Sequence, residues 1–206
     1  SPVVHEDLLS YQAMPIVRRH GNVSNRSALR VGDVAAGFAQ SDRIFTNRFM
    51  TSPVHPGYTE PRAAVATYDP EGQFSVWSNT QLPFETQATL SDILMVPASR
   101  VRVICTTIGG GFGGKLRLGV EHYAALLAKT CGRPVRIVTT TEEEMTAAYP
   151  RQPVIVDLKT GVTNDGRILA KQGRILVDTG ATSGSGVGVG SSSSLILAGP
   201  YNVPNL

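Results

Sequence analysis

Two short runs, Ala63 to Tyr68 and Phe74 to Asn79, combine apolar, β-branched and aromatic residues between turn residues, the signals of strands. Asp69-Pro70-Glu71-Gly72 joins them as a hairpin, since proline fixes φ at the first corner position and glycine suits the exit. The pattern then changes. Pro83 opens a helix running through Met95, with Phe84, Ala88, Leu90 and Leu94 spaced to bury one face, and Pro97 ends it. A β-branched run from Val101 to Ile108 precedes a second helix, Val120 to Lys129, whose Val120, Tyr123, Ala124, Leu127 and Ala128 share a side; Gly132 and Pro134 stop it. Val135 to Thr139 is a further β-run. Thr140 with Glu143, and Thr141 with Glu144, each have capping-box spacing, so Glu142, Glu143 and Glu144 read as a helix start rather than as catalytic acids.

Toward the ends, Arg43 to Phe49 reads as a strand, and Val154 to Leu158 with Ile168 to Asp178 as a second hairpin around Asn164-Asp165-Gly166. Residues 1–42 mix polar positions with little periodicity and read as a linker or extended arm from a preceding domain, with one weak helix near Val31 to Gln40. Residues 43–206 form the main domain. Gly180 to Ser194 is almost entirely Gly, Ser and Val, the composition of a flexible linker, with a mobile wall of a substrate channel as the sharper alternative. Hairpins alternating with single helices predict an α+β fold, a mixed sheet with packed helices, rather than a doubly wound one.

The chemistry concentrates in Gly109-Gly110-Gly111-Phe112-Gly113-Gly114-Lys115, five glycines in six positions, a backbone able to press its N–H groups against something large and anionic. Two phosphate patterns overlap there. The G-x-x-x-x-G-K reading uses Gly109, Gly114 and Lys115, but Leu116 stands where a nucleotide loop needs a hydroxyl for magnesium. The G-x-G-x-x-G reading uses Gly109, Gly111 and Gly114, and strand, turn, helix and strand follow in order. The ribose-binding acid expected roughly 20 residues past the turn is not there. A dinucleotide-binding dehydrogenase domain and a non-catalytic interaction module remain as alternatives.

A chain of 206 residues, 41% hydrophobic, can bury a sizeable core, and a charged fraction of only 17% suits a surface partly covered by other domains. A net charge of +3, dispersed and without a basic stripe interleaved with aromatics, argues against nucleic acid. Lys115 and Arg117 could balance phosphate charge or face solvent. Cys105, in an alternating run, reads as a small buried thiol, and Cys131 precedes a helix end; their spacing resembles no zinc or iron-sulfur motif. Neither a signal peptide nor a membrane span is visible.

Upstream of the loop stand His55-Pro56-Gly57-Tyr58-Thr59-Glu60-Pro61, then Ala63-Ala64-Val65-Ala66, Val76-Trp77-Ser78-Asn79-Thr80-Gln81 and Arg100-Val101-Arg102-Val103, with Gln81 31 positions before Phe112 (112 − 81). This order resembles the molybdenum-binding subunit of the xanthine dehydrogenase and aldehyde oxidase family, over the first molybdopterin-contacting domain. The resemblance implies a molybdopterin-binding-domain fold and a molybdopterin, or molybdopterin cytosine dinucleotide, carrying molybdenum through its dithiolene, so that no Cys or His ligand set is needed. It assigns Gln81 as an amide donor to an oxygen ligand of the metal, and Phe112 with Gly113 as the pair whose main-chain N–H reaches another; Gly110, Gly111 and Gly114 complete the cofactor-binding loop. It implies oxidation of an aldehyde or heteroaromatic carbon with water as oxygen source, and 2Fe-2S and FAD groups on partner domains or subunits. The expected compartment is the cytoplasm, with the periplasm left open. Leu116 departs from the glutamate that purine-oxidising members carry after the motif lysine, which disfavours a purine. The family's catalytic base and second glycine motif belong downstream of Asn205, so the residues here are expected to be one piece of a larger molybdenum subunit, inactive alone.

Overall fold

The computed structural model describes residues 23–180 and 184–206. The described residues divide into two compact units, residues 54–151 and a discontinuous unit of 23–53 with 152–180 and 184–206.

Residues 54–151 build a four-stranded mixed sheet from β2 (Ala63–Tyr68), β3 (Phe74–Ser78), β4 (Val101–Cys105) and β5 (Val135–Val138), in the order β4-β3-β2-β5. The Asp69–Gly72 turn closes the β2–β3 hairpin in register, with Tyr68 opposite Phe74, and Gly72 N–H donates to the Asp69 carbonyl at 3.1 Å. Helix α2 (Pro83–Leu94) carries the chain from β3 to β4, which runs parallel to it, and α3 (Glu121–Cys131) carries it across to β5 at the far edge. The core lies between the sheet and these helices: Phe74, Val76 and Leu90 are wholly buried with Ala64, Ala66, Val101 and Leu94 around them. Burying each large side chain contributes about 1.5–3 kcal/mol.

Both helices bury part of the face the spacing predicts, Leu90 and Leu94 on α2 and Ala124 and Ala128 on α3, and expose the rest. Phe84 and Ala88, placed in the buried stripe by their positions, are exposed, Phe84 at 83%, and Thr86 joins the expected Leu90 and Leu94 in the core. On α3, Tyr123 and Leu127 are exposed and the buried residues are Glu121, Ala124, Ala125 and Ala128. Alanines here let the helix axis approach β2 closely, an advantage that outweighs the larger apolar area of Leu127 and Tyr123. The dinucleotide reading fails on the same topology. Strands β4 and β5 lie at opposite edges of the sheet, and α3 begins at Glu121, seven positions past Gly114 (121 − 114), rather than in the glycine turn.

The other unit is an antiparallel sheet, β1 (Arg43–Met50), β6 (Val154–Val162) and β7 (Ile168–Val177), ordered β1-β6-β7, with α1 (Val34–Ala39) against it. The hairpin around Asn164-Asp165-Gly166 forms as its turn residues require. The glycine-serine run is not a linker throughout: residues 181–183 lie outside the described set, and α5 (Gly186–Leu195) is helical. Between β5 and β6, α4 (Thr141–Ala147) starts at the capping box of Thr140 and Glu143. No described helix is long and apolar enough to cross a membrane.

Candidate functional site

Because β3 and β4 are parallel neighbours, the segments leaving their C-terminal ends emerge on the same edge of the sheet. Gln81 follows β3 and the glycine loop follows β4, so residues 31 positions apart (112 − 81) meet in space. Thr106 N–H to Ser78 O at 3.2 Å and Cys105 Sγ to Thr80 O at 3.1 Å continue the pairing past the strands. Cys105 is exposed on this edge strand, not buried as its run suggests.

The loop closes on Gln81. Its Oε1 accepts from Gly113 N–H and Lys115 N–H, each at 3.1 Å, and its own N–H donates to Lys115 O at 3.0 Å. A side chain at Gly111 would put Cβ 2.5 Å from Gln81 Oε1, so only glycine lets the glutamine lie this close. Two N–H groups facing one end of the amide fix that end as the oxygen. The amino end, Nε2, donates to no acceptor among the described residues and is the face Gln81 has left to offer a ligand.

The N–H groups of the loop divide into those already paired and those still free. Gly109 N–H donates to Glu60 Oε2 at 2.7 Å, Gly114 N–H to Gly111 O at 2.7 Å, and those of Gly113 and Lys115 to Gln81. Those of Gly110, Gly111 and Phe112 find no acceptor among the described residues. Phe112 takes φ 50°, a left-handed conformation rare for a large side chain, with its ring 62% exposed. Arg151 Nη2 holds its carbonyl at 2.8 Å. Of the sequence-predicted pair, Gly113 spends its N–H on Gln81 and Phe112 retains its own.

Lys115 does neither of the things the sequence suggests. It is 2% exposed, with Nζ 2.8 Å from Glu60 Oε2 and 4.8 Å from the centre of the Tyr58 ring. Glu60 therefore clasps both ends of the loop. Burial alone would raise its carboxyl; the Lys115 and Gly109 hydrogen bonds and the Lys115 charge outweigh this and hold it below the ordinary value.

Glu144 also departs from its reading as a cap. It is 4% exposed and accepts from Tyr58 Oη, Arg62 N–H and Thr139 Oγ1, while Thr141 makes no second box. Burial pushes Tyr58 up to about 12, reinforced by its bond to Glu144; the Glu144 carboxyl, raised by burial, is brought below its usual value by the donors around it. Glu60, Tyr58, Arg62 and Arg151 were not singled out from sequence, although Tyr58 and Glu60 stand inside the quoted His55 to Pro61 motif. Leu116 lines a cavity of about 300 Å³ with Thr86, Arg117, His122 and Tyr149.

A cradle of main-chain and amide donors, with Lys115 paired to Glu60 and Arg151 on the Phe112 carbonyl, fits an oxygen-rich group held by hydrogen bonds. Residues 17–206 match the family model described as the molybdopterin cofactor-binding domain. The chain is 38% identical over 192 residues, 93% of its length, to the nicotinate dehydrogenase large molybdopterin subunit of Eubacterium barkeri, and spans 45% of that protein. It is 35% identical over 90% of its length to a probable xanthine dehydrogenase subunit from Bacillus subtilis, of which it spans 25%. Among solved structures it resembles the aldehyde oxidoreductase of Desulfovibrio gigas in fold, with TM-score 0.79 at 22% identity over 86% of this chain and 20% of that one. Quinoline 2-oxidoreductase from Pseudomonas putida matches with TM-score 0.69 at 29% identity, over 78% of this chain and 21% of its own. The chain thus belongs to the molybdopterin cofactor-binding domain family.

Proposed function

We propose that this chain is the part of a molybdenum hydroxylase that cradles the molybdopterin, and that Gln81 with the loop from Gly110 to Gly114 presents hydrogen-bond donors to the oxygen ligands of the metal. The observation that carries this reading is the orientation of Gln81: its carbonyl end is consumed by Gly113 and Lys115, leaving a donor. A neutral donor would hold an oxygen of the bound group without adding charge to the site. The N–H of Phe112, displayed by its left-handed backbone, is a second donor on the same loop. When bound, the cofactor supplies the redox chemistry, oxidation of a carbon with water as the oxygen source.

What the protein groups contribute is placement. The loop is held at Gly109 and Lys115 by Glu60, at Gly113 by Gln81 and at the Phe112 carbonyl by Arg151, so its remaining donors are ordered before a ligand arrives. The substrate we assign is an aldehyde or a heteroaromatic compound other than a purine, supported by Leu116 and by the 38% identity to a protein named nicotinate dehydrogenase. The remainder of a molybdenum subunit and domains or subunits bearing 2Fe-2S and FAD groups complete the enzyme, in the cytoplasm.

Metal analysis of the intact protein, with pterin fluorescence after acid release, tests the reading. About one molybdenum and one pterin per polypeptide is the expected result, following from one cradle per chain. Purified protein devoid of both overturns it.

A further inference from the structure

The outward side of the loop offers donors; its inward side rests on two residues that end on one buried acid. Tyr58 Oη donates to Glu144 Oε2 at 2.5 Å, and Arg62 N–H and Thr139 Oγ1 donate to Glu144 Oε1 at 2.8 and 2.5 Å. Both Tyr58 and Arg62 touch Gly114. The tyrosine ring lies so close that a Cβ on Gly114 would stand 2.4 Å from its Cε1, and Arg62 Nη2 donates to Gly114 O at 2.6 Å.

A fourth group faces the same carboxylate. Gly57 N–H donates to His55 Nδ1 at 3.1 Å, so that nitrogen keeps its lone pair and the ring hydrogen sits on Nε2, 3.8 Å from Glu144 Oε2. Donors thus approach Glu144 from the segment before β2, from the start of β2 and from the end of β5. A carboxylate, with four acceptor sites and no hydrogen, can accept from Tyr58, Arg62 and Thr139 at once, while His55 Nε2 stays beyond hydrogen-bond range. A primary amide cannot accept all three.

We propose that Glu144 is a positioning residue for the molybdopterin cradle: by fixing Tyr58 and Arg62 it sets where Gly114 sits, and through Gly114 where Gly113 and Phe112 point. The inference rests on the cofactor reading above and adds to it a residue remote from the ligand. Its mechanism is steric and main-chain. If Tyr58 shifts, the space against Gly114 changes; if Arg62 shifts, the Gly114 carbonyl loses its donor.

Glu144→Gln in the intact protein tests this, with Glu142→Gln, exposed on the same helix, as the control. The amide keeps the size and one acceptor end but turns a donor toward His55 Nε2–H and forces the Tyr58 hydroxyl to reverse. Hydrogen exchange of the Gly109, Gly113 and Lys115 amides should accelerate about tenfold, the effect of one hydrogen bond lost from the support. Ala66 and Val76 in the core should exchange at the wild-type rate, and pterin retention after gel filtration should fall. Tyr58→Phe, which removes only the hydroxyl, should give a smaller acceleration and add nothing in the Glu144→Gln background; if Glu144→Gln does not fold, this variant alone decides. Loop exchange unchanged, or loop and core accelerated alike, overturns the proposal, as does faster loop exchange with full pterin retention. Wild-type protein without pterin would instead sink the cofactor reading, before any variant is compared.

Discussion

Glutamate at position 81 separates two jobs that the native glutamine performs at once. Its carbonyl end ties Gly113 and Lys115 through two 3.1 Å bonds, and its amino end is the donor assigned to the ligand. Gln81→Glu keeps the first job, since a carboxylate oxygen accepts the same two N–H groups. Such charge-assisted bonds contribute about 1.5–3 kcal/mol each against about 0.5–1.5 for neutral ones, which offsets the desolvation of a half-buried carboxylate. The second job is lost, because the other oxygen now meets an oxygen ligand with no hydrogen between them. That loss is about 1.5–3 kcal/mol, or roughly tenfold to a hundredfold in cofactor affinity.

The comparison is with Gln81→Ala, which surrenders both loop bonds, about 1–3 kcal/mol together, and lowers the melting temperature. Pterin and molybdenum remaining after timed dialysis, measured beside thermal melting of the cofactor-free proteins, read the two jobs independently. Gln81→Glu should melt within a degree or two of wild type, as a change of about 0.5 kcal/mol requires, yet lose cofactor at least as fast as Gln81→Ala. Wild-type retention in Gln81→Glu refutes the donor assignment. A melt as low as that of Gln81→Ala refutes the account of the loop bonds.

Glu60→Gln leaves the Lys115 ammonium, 2% exposed, without its anion; because Glu60 is itself about a third exposed, the cost is discounted from the fully buried case to about 2 kcal/mol, read from urea midpoints. Glu60 and Glu144 both have carboxyls held below the ordinary value, so on acidification the unfolded chain takes up protons first. Their stabilisation is complete above about pH 4.3, the ordinary glutamate value, and disappears as pH falls through the folded values; a wild-type urea midpoint flat below that pH, or an equal slope in Glu60→Gln, contradicts this. Gly114→Ala drives a methyl to 2.4 Å from Tyr58 and should cost about 1–3 kcal/mol, visible as a lowered melting temperature that an unaltered melt would disprove. Phe112→Gly removes a left-handed penalty of about 1–2 kcal/mol from a mostly exposed residue and should leave the melt equal or a few degrees higher; a fall would mean that the ring packs against the protein.

The hairpins were legible because their turns are local: proline and glycine at Asp69 to Gly72 and glycine in Asn164-Asp165-Gly166 decide the chain reversal within four residues. Helix faces were legible only in part: Leu90, Leu94, Ala124 and Ala128 are buried as spaced, but exposure also depends on what lies opposite. Phe84 has the right spacing, yet no described element covers it, and Ala124, Ala125 and Ala128 are buried because β2 lies against them. Glu144 shows the same limit for a site: three acids after Thr140 look alike in sequence, and only the fold brings Tyr58, Arg62 and Thr139 to the third. Composition misled at α5, where glycine is a poor helix former in isolation. Gly186 lies so near Thr179 that a Cβ would clash, and Ser193 donates back to the Val189 carbonyl, so tertiary proximity and side-chain bonds support the helix.

The polarity of the cradle follows from bookkeeping over seven residues. Of its backbone donors, four are spent on Glu60, Gly111 and Gln81, and the Lys115 charge is cancelled by Glu60 inside the protein. What remains for a ligand, beside the Arg151 guanidinium on the Phe112 carbonyl, is a set of neutral dipoles at Gly110, Gly111, Phe112 and the amino end of Gln81. A site that attracted its ligand by net charge would weaken steeply with ionic strength, because exposed charges are screened beyond about 10 Å at 0.1 M salt. Short-range, preorganised N–H donors are screened little. Selection by these dipoles therefore falls on where the ligand's oxygens lie more than on its total charge.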